Sequence, residues 1–249
     1  MSRLNDYADN YPNIDFERRD GVLQVTLHTG GDSLKWGALE TSIHNQAGEA
    51  FYQIGRDPDN KVIILTGAGD TFCADFNMDE MPAVADANYW RGVVREGKDL
   101  LMNLLEIESP IIGVANGPAT VHAELVLLSD IVLAADTAVF ADHAHFSSGI
   151  VPGDGVHVVW PLLLGPNRGR YFLLTGQQID AQEARSLGIV GEVHPRDSVH
   201  ARAWELAAQI AAQPEGARRY ARVALTQHIK KRILDELGYG LTMEAFATL

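Results

Sequence analysis

A single cysteine, Cys73, leaves this chain with no internal disulfide, so it does not encode a small cross-linked secreted scaffold. No run approaches the roughly 18 consecutive apolar residues that a membrane-spanning helix needs. The opening segment, MSRLNDYADNYPNIDFERRDG, carries acids and lacks the apolar centre of a secretory signal. These absences together predict a cytoplasmic protein with no membrane partner. Bases are scarce as well: 20 Lys and Arg stand against 33 Asp and Glu, a net charge of −13. Such a balance repels a phosphate backbone at long range, so no nucleic-acid partner is expected. The basic cluster Arg218, Arg219, Arg222, Lys230, Lys231 and Arg232 shares its helix with Asp235 and Glu236, and it reads as a solvated or intersubunit face. There is no internal repeat, linker or low-complexity tract.

What is present is ordinary for a compact globular protein, with 46% apolar and 21% charged residues. Asn13–Arg18 and Val22–His28 alternate about Asp20-Gly21 and predict a hairpin. After Trp36, the recurrence of Leu39, Ile43, Ala47, Ala50, Phe51 and Ile54 predicts a helix of about 18 residues. Lys61–Thr66 and Pro110–Ala115 are short apolar runs suited to strands buried on both faces, with a helix over 87–107 between them. A short helix at about 121–129 and strands at Ile131–Ala135, Ala138–Phe140 and Ile189–Val193 are expected next. Further helices are expected from 155 to about 164 and over 167–175, 180–187 and 197–213, while Gly238 and Gly240 predict two helices within 215–247. Strands alternating with helices, undivided by a polar linker, imply one α/β core with a helical C-terminal appendage.

Five segments carry a family resemblance: NKVIILTGAGDTFCADFNMDEM at 60–81, SPIIGVANGPA at 109–119, SDIVLAADTAVFA at 129–141, GIVPGDG at 149–155 and LTGQQIDAQEARSLGIVGEV at 174–193. Together they are similar to the crotonase (enoyl-CoA hydratase/isomerase) superfamily over nearly the whole chain. The resemblance implies a crotonase-type spiral of ββα turns over 1–195 and a C-terminal helical trimerisation region over 196–249. It also implies a homotrimer or dimer of trimers, with no metal and no other cofactor.

The departures from that pattern bear on function. In CoA-using members, two backbone N–H groups form an oxyanion hole, one after an FxAG-type segment and one in a glycine run after the NG motif. Here Ala74 keeps the first position but Asp75 replaces the glycine, and the run has become Thr120, Val121 and His122. A β-branched residue and an imidazole crowd the close approach that glycine permits. Of the two carboxylate positions of the hydratases, Glu124 survives, whereas His145 stands at the other, four residues before Gly149. This pattern resembles one branch, 6-oxocamphor hydrolase and related β-diketone hydrolases, through Trp36, His44, His122, His145 in ADHAHFSSGIVPGDG, Asp154 and Glu244. The implied reaction is hydrolysis of a carbon–carbon bond in a cyclic or bicyclic β-diketone (a retro-Claisen cleavage) to a keto acid. The competing reading is an enoyl-CoA hydratase or isomerase using Glu124 with backbone donors. A silent scaffold or an RNA-binding relative is opposed by the acidity and by so many polar replacements around one site.

Diketone cleavage needs a base for water, donors for two oxyanions and an acid for carbon. His145 is the expected base, because an unperturbed imidazole with a pKa of about 6.5 is neutral and basic near pH 7. Asp154 either holds its other ring nitrogen or caps the helix that follows. His122 either donates to a substrate oxygen or fills the vacated glycine space. Trp36 either offers its indole N–H or packs in the core. Ala74 and Phe76 are expected beside the substrate. Glu244 is either at the site or a solvent-facing charge, and His44, flanking an apolar helix face, is either catalytic or structural. His143 and His145 form an HxH pair beside Asp142, but no third histidine lies at ligand spacing. Cys73 is expected to be packed in the core rather than nucleophilic.

Overall fold

The computed structural model describes residues 3–249. A one-turn helix α1 (Leu4–Tyr7) precedes the hairpin of β1 (Ile14–Arg19) and β2 (Val22–Leu27), paired antiparallel. Asp20 and Gly21 turn it with φ of 52° and 86°, the consecutive left-handed pair that a two-residue hairpin requires. Next come β3 (Lys35–Trp36), α2 (Ile43–Arg56), β4 (Val62–Gly67), β5 (Asp75–Phe76), α3 (Ala87–Glu106) and β6 (Ile111–Ala115). They are followed by α4 (Glu124–Leu127), β7 (Ile131–Ala135), β8 (Val139–Phe140), α5 (Val156–Leu164) and α6 (Pro166–Thr175). The chain closes with β9 (Ile179–Asp180), α7 (Ala181–Ser186), β10 (Glu192–His194), α8 (Arg196–Ala211) and α9 (Glu215–Thr248).

The main sheet runs β1-β2-β4-β6-β7-β10 and is parallel apart from β1. Every residue of β4 and β6 is buried, because both faces of the sheet are covered. Alternation along β4 divides the layers: Ile63 and Leu65 face the main core, while Val62 and Ile64 face α8. The stripe Val199, Ala203 and Ala207 of α8 closes that second layer. The result is an α/β crotonase fold, as expected. No helix among the described residues is long and apolar enough to cross a membrane.

Four expectations are corrected. The span 215–247 lies within one helix, the 34-residue α9, and not two. Gly240 is a contact residue: a Cβ there would fall 2.2 Å from the carbonyl oxygen of Gly153. Mid-helix glycine costs about 1 kcal/mol relative to alanine, and here it admits a backbone approach that no other residue allows. The helix predicted at 121–129 shrinks to α4, with His122 turned out ahead of it, and the strand expected at Ile189–Val193 is β10, displaced toward His194. Arg222 does not belong to a solvated face. It is buried, donates to the carbonyls of Ile107 and Leu104, and pairs with Asp130. Lys230 and Arg219 likewise pair with Glu106 and Glu108, so the basic cluster pins α9 beside α3.

Candidate active site

The site lies where three segments meet after the strands of the sheet. Beyond β6, the N–H groups of Thr120 and Val121 both donate to the carbonyl of Cys73, at 2.9 and 3.1 Å. Those two backbone donors are therefore occupied within the chain. His122 follows with φ of 49°, a left-handed conformation that favours glycine and strains any other residue by about 1 kcal/mol or more. An imidazole thus stands at a backbone position of the kind that glycine adopts without strain. Beyond β8, His143 N–H donates to Thr120 O at 2.9 Å, tying the 141–150 segment alongside and bringing His145 to His122. The two rings meet edge to face with centroids 5.9 Å apart. The third segment, 149–155, presents Asp154 just before α5.

These residues form a chain of alternating carboxylates and imidazoles. Asp142 Oδ1 lies 2.6 Å from His145 Nδ1, and His145 Nε2 lies 3.2 Å from Asp154 Oδ2. Asp154 Oδ2 lies 3.0 Å from His122 Nδ1, which is also 2.9 Å from Glu124 Oε1. Burial alone would lower the pKa of the His122 ring, but Glu124 and Asp154 outweigh it and carry it up to about 10. His145 is likewise raised well above its ordinary value, since Asp154 and Asp142 overcome its burial. Burial would raise Asp154, yet the two rings hold it well below the usual carboxylate range. Both rings are thus drawn toward the imidazolium form, His145 against the expectation of a neutral ring. Glu124 is pushed up by its burial and by Asp154.

A cavity of about 290 Å³ opens above the chain, walled by Trp36, Phe76, Trp90, Leu241 and both imidazoles. Trp36 stacks on His122 with centroids 3.9 Å apart. His122 Nε2 has no protein partner among the described residues, so its N–H is free for a ligand. Glu244, delivered by α9, lines the same cavity with Oε2 buried and unpartnered. Burial, with Asp154 adding to it, raises Glu244 to about 8, so it is a neutral acid near pH 7.

Of the expected site residues, Trp36, His44, Phe76, His122, His145, Asp154 and Glu244 all reach this cavity. Glu244 is therefore not a solvent-facing charge. Asp154 does not cap α5: Gly155 is the N-cap, with no side-chain bond. Ala74 does not line the wall, whereas Trp36 and Phe76, partners in the β3–β5 pairing, do. His44 is held by Glu96 Oε2 at 3.3 Å and meets Trp36 edge-on. Glu124 and Leu125 are buried away from the cavity. The HxH pair is split, since His143 turns to Gln178 at 3.3 Å. The donor atoms of His122, Glu124 and Asp154 lie within 4.8 Å of one another and could hold a metal ion. Cys73 is fully buried, which pushes its thiol pKa up and leaves it inert. Asp142 and Glu96 escaped the sequence reading as partners, although Asp142 lies three residues before His145 and was in view.

A family model described as enoyl-CoA hydratase/isomerase matches residues 17–245. A carnitinyl-CoA dehydratase of Citrobacter koseri is 32% identical over 79% of this chain and 74% of its own. A probable enoyl-CoA hydratase of Mycobacterium tuberculosis is 29% identical over 96% and 91%. Among solved structures, a β-diketone hydrolase from the cyanobacterium Anabaena, bound to (S)-3-oxocyclohexyl acetic acid, superimposes with a TM-score of 0.94. It is 44% identical and the match covers 98% of this chain and 96% of that one. An enoyl-CoA hydratase/isomerase from Mycobacterium paratuberculosis gives a TM-score of 0.86 at 28% identity, covering 95% and 94%.

Proposed function

The chain belongs to the enoyl-CoA hydratase/isomerase family, and within it we propose a hydrolase that cleaves a carbon–carbon bond of a cyclic or bicyclic β-diketone to a keto acid. The observation that carries this reading is the convergence of His122 and His145 on one apolar cavity of about 290 Å³. The keto acid bound by the Anabaena enzyme supports it. Joining the carboxyl carbon of such an acid to the far α-carbon of its ketone, with loss of water, gives a bicyclic 1,3-diketone.

The substrate carbonyl accepts from His122 Nε2–H, and the charge on that ring strengthens the bond. The His145–Asp154 pair, which lines the cavity, holds the attacking water and takes its proton. The tetrahedral oxyanion then faces the His122 imidazolium. Its collapse breaks the carbon–carbon bond, and the electron pair passes to the second carbonyl as an enolate, beside the Trp36 indole. Glu244 delivers a proton to the enolate carbon and is reprotonated by the proton the His145–Asp154 pair took, so the sum is addition of one water. His44, braced by Glu96, holds Trp36 in place. The family relation and the exposed apolar side chains Tyr220, Leu225, Leu234 and Phe246 on α9 support a homotrimer or dimer of trimers built through the 196–249 region.

A hydratase would need Glu124 facing its ligand. Here that carboxylate is 1% exposed, bonded to His122 and absent from the cavity wall. Incubating the protein separately with a bicyclic 1,3-diketone and with crotonyl-CoA distinguishes the two reactions. Keto acid is expected from the first and no hydration of the second; the opposite result overturns the proposal.

The acid limb has its own signature. The proton of Glu244 is present below about 8 and lost as pH rises through that value, so turnover is expected to fall about tenfold per pH unit above it. Glu244→Gln is expected to lower kcat and to move the limb toward about 10, where His122 loses its charge. A wild-type rate that stays level through about 8 removes Glu244 as the donor.

A further inference from the structure

We propose that Asp142 is a positioning residue for this reaction, fixing the His145 ring with Nε2 toward Asp154 and the cavity. The kinetic part of this inference rests on the diketone-hydrolase reading; the geometric part does not.

Asp142 Oδ1 stands 2.6 Å from His145 Nδ1, the separation of a charge-assisted hydrogen bond, and both residues are 2% exposed. No lysine or arginine pairs with Asp142 among the described residues, and its Oδ2 is buried without a partner. A carboxylate held in the interior by a single partner is unfavourable unless that partner is charged. Packing alone would be better served by an apolar side chain or an amide. The backbone around it is fixed: Ala141 N–H donates to Ala119 O at 3.4 Å and His143 N–H to Thr120 O at 2.9 Å. The carbonyl of Asp142 itself accepts from Ser147 Oγ at 3.4 Å. Asp142 therefore cannot follow the ring if the ring turns; it sets where the ring stops.

Asp154 does not define the ring alone, because its Oδ2 is shared with His122 at 3.0 Å and stands 3.2 Å from His145 Nε2. Without Asp142, a half-turn of the imidazole would exchange Nδ1 and Nε2 at little penalty. The other ionisable groups facing His145 are Glu244 across the cavity, His122 edge-on and His157 behind the Asp154 segment. None of these is an anion near pH 7, and of the two carboxylates that touch the ring Asp154 lies on the Nε2 side and Asp142 on the Nδ1 side. This arrangement gives His145 the orienting carboxylate that the sequence reading had assigned to Asp154.

The test combines nitrogen-15 NMR of the histidine rings with kinetics. In the wild-type protein, His145 is expected to carry a far-downfield proton on Nδ1, the mark of a short bond to a carboxylate. Asp142→Asn keeps the shape and an acceptor but removes the charge. In it, that resonance is expected to move upfield, and kcat to fall by about 10²–10⁴-fold with KM changed by only a few-fold. A wild-type His145 whose Nδ1 carries no proton overturns the proposal even if the variant does not fold. So does a folded Asp142→Asn protein with an unaltered His145 resonance and kcat. If the wild-type protein turns over no diketone, the reaction assigned above fails, and the ring measurements still decide the role of Asp142.

Discussion

Asp154→Asn is expected to lower kcat by about three to four orders of magnitude while leaving the fold intact. One carboxylate oxygen touches both imidazoles, at 3.0 Å from His122 Nδ1 and 3.2 Å from His145 Nε2, and the other is unpartnered. An amide in its place cannot take a proton from water, and it withdraws the negative charge that helps keep both rings cationic. The donor to the substrate oxygen and the acceptor for the water proton therefore weaken together. Replacing the orienting carboxylate of a hydrolytic triad by its amide loses about 10⁴ in kcat, a comparable change at a single ring. Keto-acid release at saturating diketone, with circular dichroism to check folding, measures it. A loss of less than tenfold would remove Asp154 from the proton transfer.

His145→Ala is expected to lower kcat by about 10²–10⁴-fold, the usual contribution of a group that assists proton transfer. The same change leaves Asp142 and Asp154 inside the protein without the cation they share. Removing one partner of a buried pair destabilises by about 3–5 kcal/mol. Activity must then be read alongside a melting curve, and His145→Asn, which keeps a polar group there, separates the two effects. Free imidazole added to the alanine variant should restore part of the rate, because the vacated space faces the cavity. Undiminished kcat in a folded alanine variant would refute the role given to His145.

Much of the fold could be read from apolar patterning, and the reasons for what could not are specific. The central strands β4 and β6 stood out because residues buried on both faces make unbroken apolar runs. The pairs β3–β5 and β8–β9 have two residues per strand, too few to show any period. The unbroken α9 was hidden because Gly240 is explained by Gly153, 87 positions earlier in the chain, not by its own neighbours. Arg222 looked like one of several surface bases, and only the packing of α9 on α3 takes it inside.

The candidate site shows the same division. Resemblance picked out His122, His145, Asp154, Glu244, Trp36, Phe76 and His44, and the structure brings these to one cavity. It also picked out Ala74, which does not line the wall, whereas Trp36 and Phe76 of the β3–β5 pair do. Asp142 was visible only as a possible metal ligand, because its pairing with His145 depends on a turn between them. The charge on His145 was beyond any sequence pattern. It arises from the approach of Asp154 to a ring already held by Asp142, and an isolated imidazole gives no hint of it.

The alternation of anions and cations beneath the cavity also bears on what leaves it. Four carboxyl groups, Glu124, Asp142, Asp154 and Glu244, surround two imidazoles. An uncharged diketone meets no electrostatic barrier on entering. The acid made from it ionises, and its carboxylate then meets the cationic ring of His122. Such a pocket holds its reactant by shape and its product by charge as well, so departure of the product is expected to slow the cycle more than capture of the reactant.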